Sequence, residues 1–210
     1  MEKYSDLEKR HFAIAKAMLE ADDGKVFPVD LYAVGSLKRS MAHCKGFATL
    51  MASKNLTCVG GITRMQLDTL LRFFAIFLVP EPHDFVAKVM NGKRVRDFKD
   101  RNGNKLTDVF LVSELSKKEP WIESVYKETS GYIHFSKKHI FSALDNITDE
   151  TFEMFISAED VDRVEPIYDE AIAAFIHITN TFLDYVEGWI FTKSNPKLVG
   201  TVKEAVDSFI

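Results

Sequence analysis

The stretch Ile62-Thr-Arg-Met-Gln-Leu-Asp-Thr-Leu-Leu-Arg-Phe-Phe-Ala-Ile-Phe-Leu-Val79 decides the fold. Wound at 3.6 residues per turn, it places Ile62, Met65, Leu67, Leu70, Leu71, Phe73, Phe74, Ile76, Phe77 and Leu78 around most of a helix's circumference. A helix that is apolar on nearly all sides belongs in the middle of a bundle. Its one polar stripe is Arg64, Asp68 and Arg72, at successive i,i+4 positions. Pro80 and Pro82 stop it, and Gly60-Gly61 are expected to punctuate the chain just before it. The longest unbroken apolar run, Phe73 to Val79, is far below the roughly 20 residues of a membrane span.

Outward from this helix the same periodicity recurs. A first helix is expected over about Ser5–Asp22, with Leu7, His11, Ile14, Met18 and Ala21 on one face. A second, about Asp30–Lys54, carries the stripe Val34, Leu37, Met41, Cys44, Ala48 and Met51. It is flanked by the small residues Ala33, Gly35, Ser36, Ser40 and Ala42, which suit close helix approach and a dimer seam. Further helices are expected over about Pro82–Asn91, Thr107–Lys117, Pro120–Lys138, Asp160–Thr192 and Pro196–Phe209. Between Ile140 and Ser157 the pattern changes: Phe152, Met154 and Ile156 alternate with their neighbours, a period-2 signal read as a small β-hairpin. The fold class is mainly α, a multi-helix bundle. It forms a single domain over residues 1–210, with a basic loop at about 93–105 and a possible small hairpin insertion near 140–157.

Composition bounds the function. With 46% hydrophobic residues and 17 Phe, the chain can build a sizeable core and is not expected to be disordered. A net charge of -4 gives no global attraction to nucleic acid or anionic lipid. Lys93, Arg94, Arg96, Lys99, Arg101 and Lys105, set against Asp97 and Asp100, give one local basic stretch, expected as a mobile loop that can meet a nucleic-acid backbone. Cys44 and Cys58 form no C-x-x-C pair and are expected as reduced thiols. The charged N-terminus runs straight into an amphipathic pattern, so the expectation is a cytoplasmic protein with no membrane partner. Phosphate-binding loops, dinucleotide fingerprints and nucleophile elbows are absent from the sequence.

Candidate chemistry lies in three polar groupings. Tyr126, Ser130 and His134 stand at i, i+4 and i+8, so one helix would carry all three on a face, with the imidazole oriented by hydroxyls. Arg64, Asp68 and Arg72 hold two guanidinium groups about a carboxylate, an arrangement suited to a phosphate or carboxylate ligand. Arg39 and His43, four apart on the second helix, can line the same cleft. A metal-dependent hydrolase reading would use His134, His139, His177 and Asp184, but no tight metal motif is present, and no metal or cofactor is expected.

The polar-striped central helix (Arg64-x3-Asp68), followed by the Tyr126-x3-Ser130-x3-His134 helix, resembles the HEPN-like helical domains of bacteria and phage-defence systems, over about residues 30 to 140. That resemblance implies a helical bundle, frequently dimeric. Active members are metal-independent ribonucleases using an Arg and a His with four to six residues between them, and many other members are binding or regulatory domains. At that spacing this chain has Lys38 before His43 and Glu128 before His134, while Arg39 and His43 have three residues between them. Two functional readings follow. The first is a binding or regulatory domain that self-associates, with RNA or a protein as partner. The second is a ribonuclease with His134 as acid/base, Arg64 or Arg72 as phosphate anchor, and Tyr126 or Ser130 as orienter.

Overall fold

The computed structural model describes residues 2–145, 148, 150–160 and 165–195. Eight α-helices carry the described chain: α1 (Glu2–Glu20), α2 (Pro28–Ala52), α3 (Leu56–Leu78), α4 (Pro82–Met90), α5 (Asp108–Leu115), α6 (Trp121–Ile133), α7 (Lys137–Phe141) and α8 (Glu165–Ser194). α3 is the axle, packed against α2, α4, α5, α6 and α8, while α1 closes over α2 and α8. Its burial follows from composition: Val59, Leu67, Leu70, Leu71, Phe73, Phe74, Ala75, Ile76 and Phe77 are all in the core. Phe73 meets Phe182 edge-on at 5.6 Å, and Phe74 meets Tyr185 at 5.3 Å, so α3 and α8 interlock through aromatic rings. No helix among the described residues is long and apolar enough to cross a membrane.

Several local expectations are corrected. Gly60-Gly61 do not precede the central helix but lie inside it. Asn55 caps α3 by accepting from Cys58 N at 2.9 Å, and the helix runs unbroken through both glycines. Gly60 serves close approach, because a Cβ there would stand 2.3 Å from the Tyr132 ring of α6. The inward face of α2 is also turned from the expected stripe. Val29, Ala33, Leu37, Ser40, His43 and Phe47 are buried, and Val34 is exposed. Of the small-residue seam, Ala33 and Ser40 therefore point into the core, and Gly35 and Ala42 are exposed.

The helix expected to reach Lys138 ends at Ile133, since His134 is extended (φ -114, ψ 143). α7 then starts afresh at Ser136, whose hydroxyl accepts from Lys138 N. The basic stretch is a loop tied to the core at several points. Val95 and Leu106 are buried, Lys99 and Lys105 bridge, Phe98 packs on Phe85, and Asp100 accepts from Asn102 N and Asn104 N. The hairpin is present in minimal form, a two-residue antiparallel ladder with Leu144 opposite Met154 and Asp145 opposite Glu153. The helix expected over Pro196–Phe209 lies outside the described residues.

A buried ion pair fastens the bundle where α8 ends. Lys193, with 0% side-chain exposure, donates to Asp30 Oδ2 at 3.0 Å and to the carbonyl of Met18 at 2.8 Å. Asp30 also accepts from Trp189 Nε1 and from the Phe27 backbone N–H, both at 2.8 Å. Both oxygens of the carboxylate are thereby answered, which is what a buried charge requires.

Two predictions follow from this packing. Lys193→Met strands the Asp30 carboxylate and is expected to lower unfolding stability by about 3–5 kcal/mol, read from the urea midpoint. Gly60→Ala drives a methyl into the root of the Tyr132 ring, which has no slack there. It is expected to cost about 1–3 kcal/mol and to shift α6 amide resonances selectively.

Candidate functional site

Three of the polar stripes converge. A cleft of about 300 Å³ is lined by Arg39 from α2, Arg64 and Asp68 from α3, Asp108 from α5, Tyr126 and Ser130 from α6, and His134 just beyond it. α2 and α3 run antiparallel, which brings Arg39 to Asp68: the Nη1–Oδ2 distance is 3.1 Å. α6 is drawn onto α3 by the Gly60–Tyr132 contact, and this carries Tyr126 and Ser130 to the opposite wall. Met65 and Ile133, both more than two-fifths exposed, form an apolar lip.

The ionic groups form an alternating chain. Arg39 pairs with Asp68, and Asp68 with Arg72 at 2.9 Å. Arg72 pairs with Asp108 at 2.6 Å, and Asp108 reaches Arg64 at 3.4 Å. The Arg64 guanidinium ends the chain 4.5 Å above the Tyr126 ring. Asp108 escaped sequence reasoning, because an acidic residue in the first turn of a helix reads locally as dipole compensation and nothing more. Three arginines against two carboxylates leave the arginine–carboxylate chain at +1.

The arginines differ in what they can offer. Arg72 lies behind the cleft wall. Burial would lower its pKa, but Asp68 and Asp108 outweigh that and hold it above the usual guanidinium value. Its Nη1 is buried with no hydrogen-bond acceptor. Burial also pushes the neighbouring Tyr32 phenol up to about 12, so it stays a neutral hydroxyl. Arg64 faces the cleft with its side chain only 12% exposed. Its one ion pair among the described residues is the long contact to Asp108. Guanidinium carries five N–H donors, and among the described residues only Nη2 of Arg64 has a side-chain acceptor. Ser130 donates to the Tyr126 carbonyl at 2.6 Å and so orients no imidazole. His134 is exposed at the cleft mouth.

His43 is the candidate that does not join. It is 6% exposed and belongs to a buried polar chain linking α1, α2, α3 and α8. His43 Nδ1 lies 2.9 Å from Gln66 Oε1, and Gln66 Nε2 donates to Ser40 Oγ at 2.7 Å and to Thr179 Oγ1 at 3.1 Å. Ser40 Oγ is 2.8 Å from His11 Nε2, and His11 Nδ1 is 2.7 Å from the Leu7 carbonyl. With both imidazoles neutral, one set of directions satisfies all five contacts: each ring carries its proton on Nδ1, and Ser40 donates to His11. The arginine stripe was legible at i,i+4, but this chain was not, since its members come from four separate segments.

Nor does the structure assemble the alternative metal set. His177 packs on Trp121 beside Glu119, and Asp184 pairs with Arg10 at 2.6 Å. No cluster of three or more His, Cys, Asp or Glu suited to a metal occurs among the described residues.

Burial depresses the pKa of His11 and of His43, in both cases as the leading cause, and that of His83, packed between Phe27 and Trp189. The unfolded chain therefore binds more protons than the folded one just below the ordinary histidine pKa. Stability is full above about pH 6.5 and is lost as pH falls toward the depressed folded values, by up to about 1.4 kcal/mol per pH unit for each imidazole in its window. The urea midpoint is expected to fall between pH 7 and 5.5, and more steeply in the wild type than in His43→Gln. Compared with known proteins, the chain matches no family model, and no curated protein or solved structure is significantly similar to it.

Proposed function

We propose that the chain is a helical binding module that takes an anionic group, the phosphate of an RNA or the carboxylate of a protein segment, between Arg39 and Arg64. The observation that carries this reading is Arg64. Its guanidinium is pinned over Tyr126, nearly buried, weakly paired and open to a cleft large enough for one such group. Holding a guanidinium in place before the ligand arrives reduces the ordering cost of binding. Arg39 is more exposed and spans the cleft to Asp68, so it supplies a second, weaker contact. Asp68 and Asp108 keep the arginines oriented and make binding selective for an anion that competes well with a carboxylate.

Self-association belongs to the same reading. Phe135, Ile140, Phe141, Phe152, Met154 and Ile156 project from the α7–hairpin region, with Phe135 83% and Ile156 96% exposed. Apolar residues grouped in this way mark an interaction surface. The second reading, a metal-independent ribonuclease of the HEPN-like kind, draws on His134, exposed on the same cleft as Arg64 and Tyr126. There His134 would take the 2′-OH proton and Arg64 would stabilise the charge developing on the phosphate. Arg72 drops out as an anchor because both its neighbouring carboxylates hold it behind the wall.

The test is a short single-stranded RNA titrated against wild type, Arg64→Ala and Arg39→Ala in excess EDTA, with cleavage followed in parallel on His134→Ala. Arg64→Ala is expected to weaken binding about tenfold or more, and Arg39→Ala by less, as befits buried and exposed charge contacts. Equal affinity in all three proteins would remove the cleft from the binding reading. Cleavage lost in both Arg64→Ala and His134→Ala would favour the nuclease.

A further inference from the structure

A second cavity, of about 410 Å³, lies at the C-terminal end of α3 and shares no lining residue with the arginine cleft. Its floor is aromatic: Phe74 and Phe77 of α3 lie 5.3 and 5.4 Å from Tyr185 of α8, and all three are core residues. One wall is the turn at Asp100–Asn102, and the other is the end of α5 with Glu114, Lys117 and Lys118. This volume, with an apolar floor and a few fixed polar groups on the rim, is what a small-molecule site requires.

The rim is not electrically neutral in effect. The Asp100 carboxylate is occupied by Asn102 N, Asn104 N and Asn104 Nδ2. Both oxygens of Glu114 take Lys117 Nζ, at 2.6 and 2.7 Å. Arg101 is different. Its backbone N–H donates to the Leu78 carbonyl and its Nη1 to the Phe77 carbonyl at 2.8 Å, which ties the guanidinium to the last turn of α3. Among the described residues it has no carboxylate within ion-pair distance. A fixed guanidinium with its remaining N–H groups uncommitted, beside an aromatic floor, calls for a ring that ends in an anion.

We propose that this cavity binds a small aromatic carboxylic acid, its ring on Phe74, Phe77 and Tyr185 and its carboxylate on Arg101. The proposal rests on none of the residues of the arginine cleft, so either can fail alone. The test titrates 2-naphthoate and its neutral counterpart 2-naphthamide into the isotope-labelled full chain, followed by amide resonances. Naphthoate is expected to give saturable shifts at Asp100–Asn102 and Lys117–Lys118, and naphthamide to bind about tenfold more weakly or worse, as loss of a charge-assisted pair implies. Arg101→Gln should erase the difference between acid and amide. Leu78→Trp, which places an indole in the cavity while leaving the Arg101 side chain in the protein, should abolish binding of both and decides the matter if Arg101→Gln loosens the turn. Equal affinity for acid and amide in the wild type, shifts confined to Arg64 and Tyr126, or no saturable shift at all would overturn the proposal.

Discussion

The structure depends on the fact that α3 has almost no solvent face of its own. Its apolar residues demand cover on every side, and α2, α4, α5, α6 and α8 supply it. Each polar residue on such a helix must then be answered by a neighbour. Asp68 is answered by Arg39 and Arg72, Gln66 by Ser40, His43 and Thr179, and Arg64 by Asp108 and the face of Tyr126. Packing and site geometry are therefore one problem here, because the helices that bury α3 also deliver the groups that meet its polar stripe.

Two consequences separate the polar systems around α3. Where the partners are small and interior, as at Gln66, the result is a buried hydrogen-bond chain that ties helices together. Where α2, α5 and α6 part at the surface, the result is a cleft whose arginines remain incompletely satisfied. Burial decides the role in each case: His43 and His134 are the same residue type, one locked against Gln66 and the other open at the mouth of the cleft.

Much of this was legible in the sequence, for identifiable reasons. The central position of residues 62–79 followed from circumference alone, and the Arg64–Asp68 and Tyr126–Ser130 stripes from helical spacing, but their meeting in one cleft, with His134 beyond the end of α6, did not. What was missed concerns relations between segments. Gly60 reads as a helix breaker until the Tyr132 ring is seen to occupy the place of its missing side chain. Val34 and Leu37 are both apolar, so hydropathy could not settle which of them faces inward. Asp108 carries no local sign that it will join two arginines from α3. Lys193 stands in the last turn of a helix, where a lysine normally meets solvent, and only the tertiary fold reveals its burial.

The Lys193–Asp30 pair also says something about the order in which the molecule is completed. Its partners are 163 residues apart, and Arg10 reaches equally far to Asp184 and Glu187. While the chain is being synthesised, α1 and the start of α2 emerge early, yet the counter-charges for Asp30 and Arg10 do not exist until residues 184–193 have left the ribosome. Loop closure over such separations carries a large entropic cost before any contact offsets it. The carboxylate of Asp30 and the guanidinium of Arg10 thus gain their partners only when α8 packs against α1 and α2, which makes that contact the one that ties distant parts of the chain together.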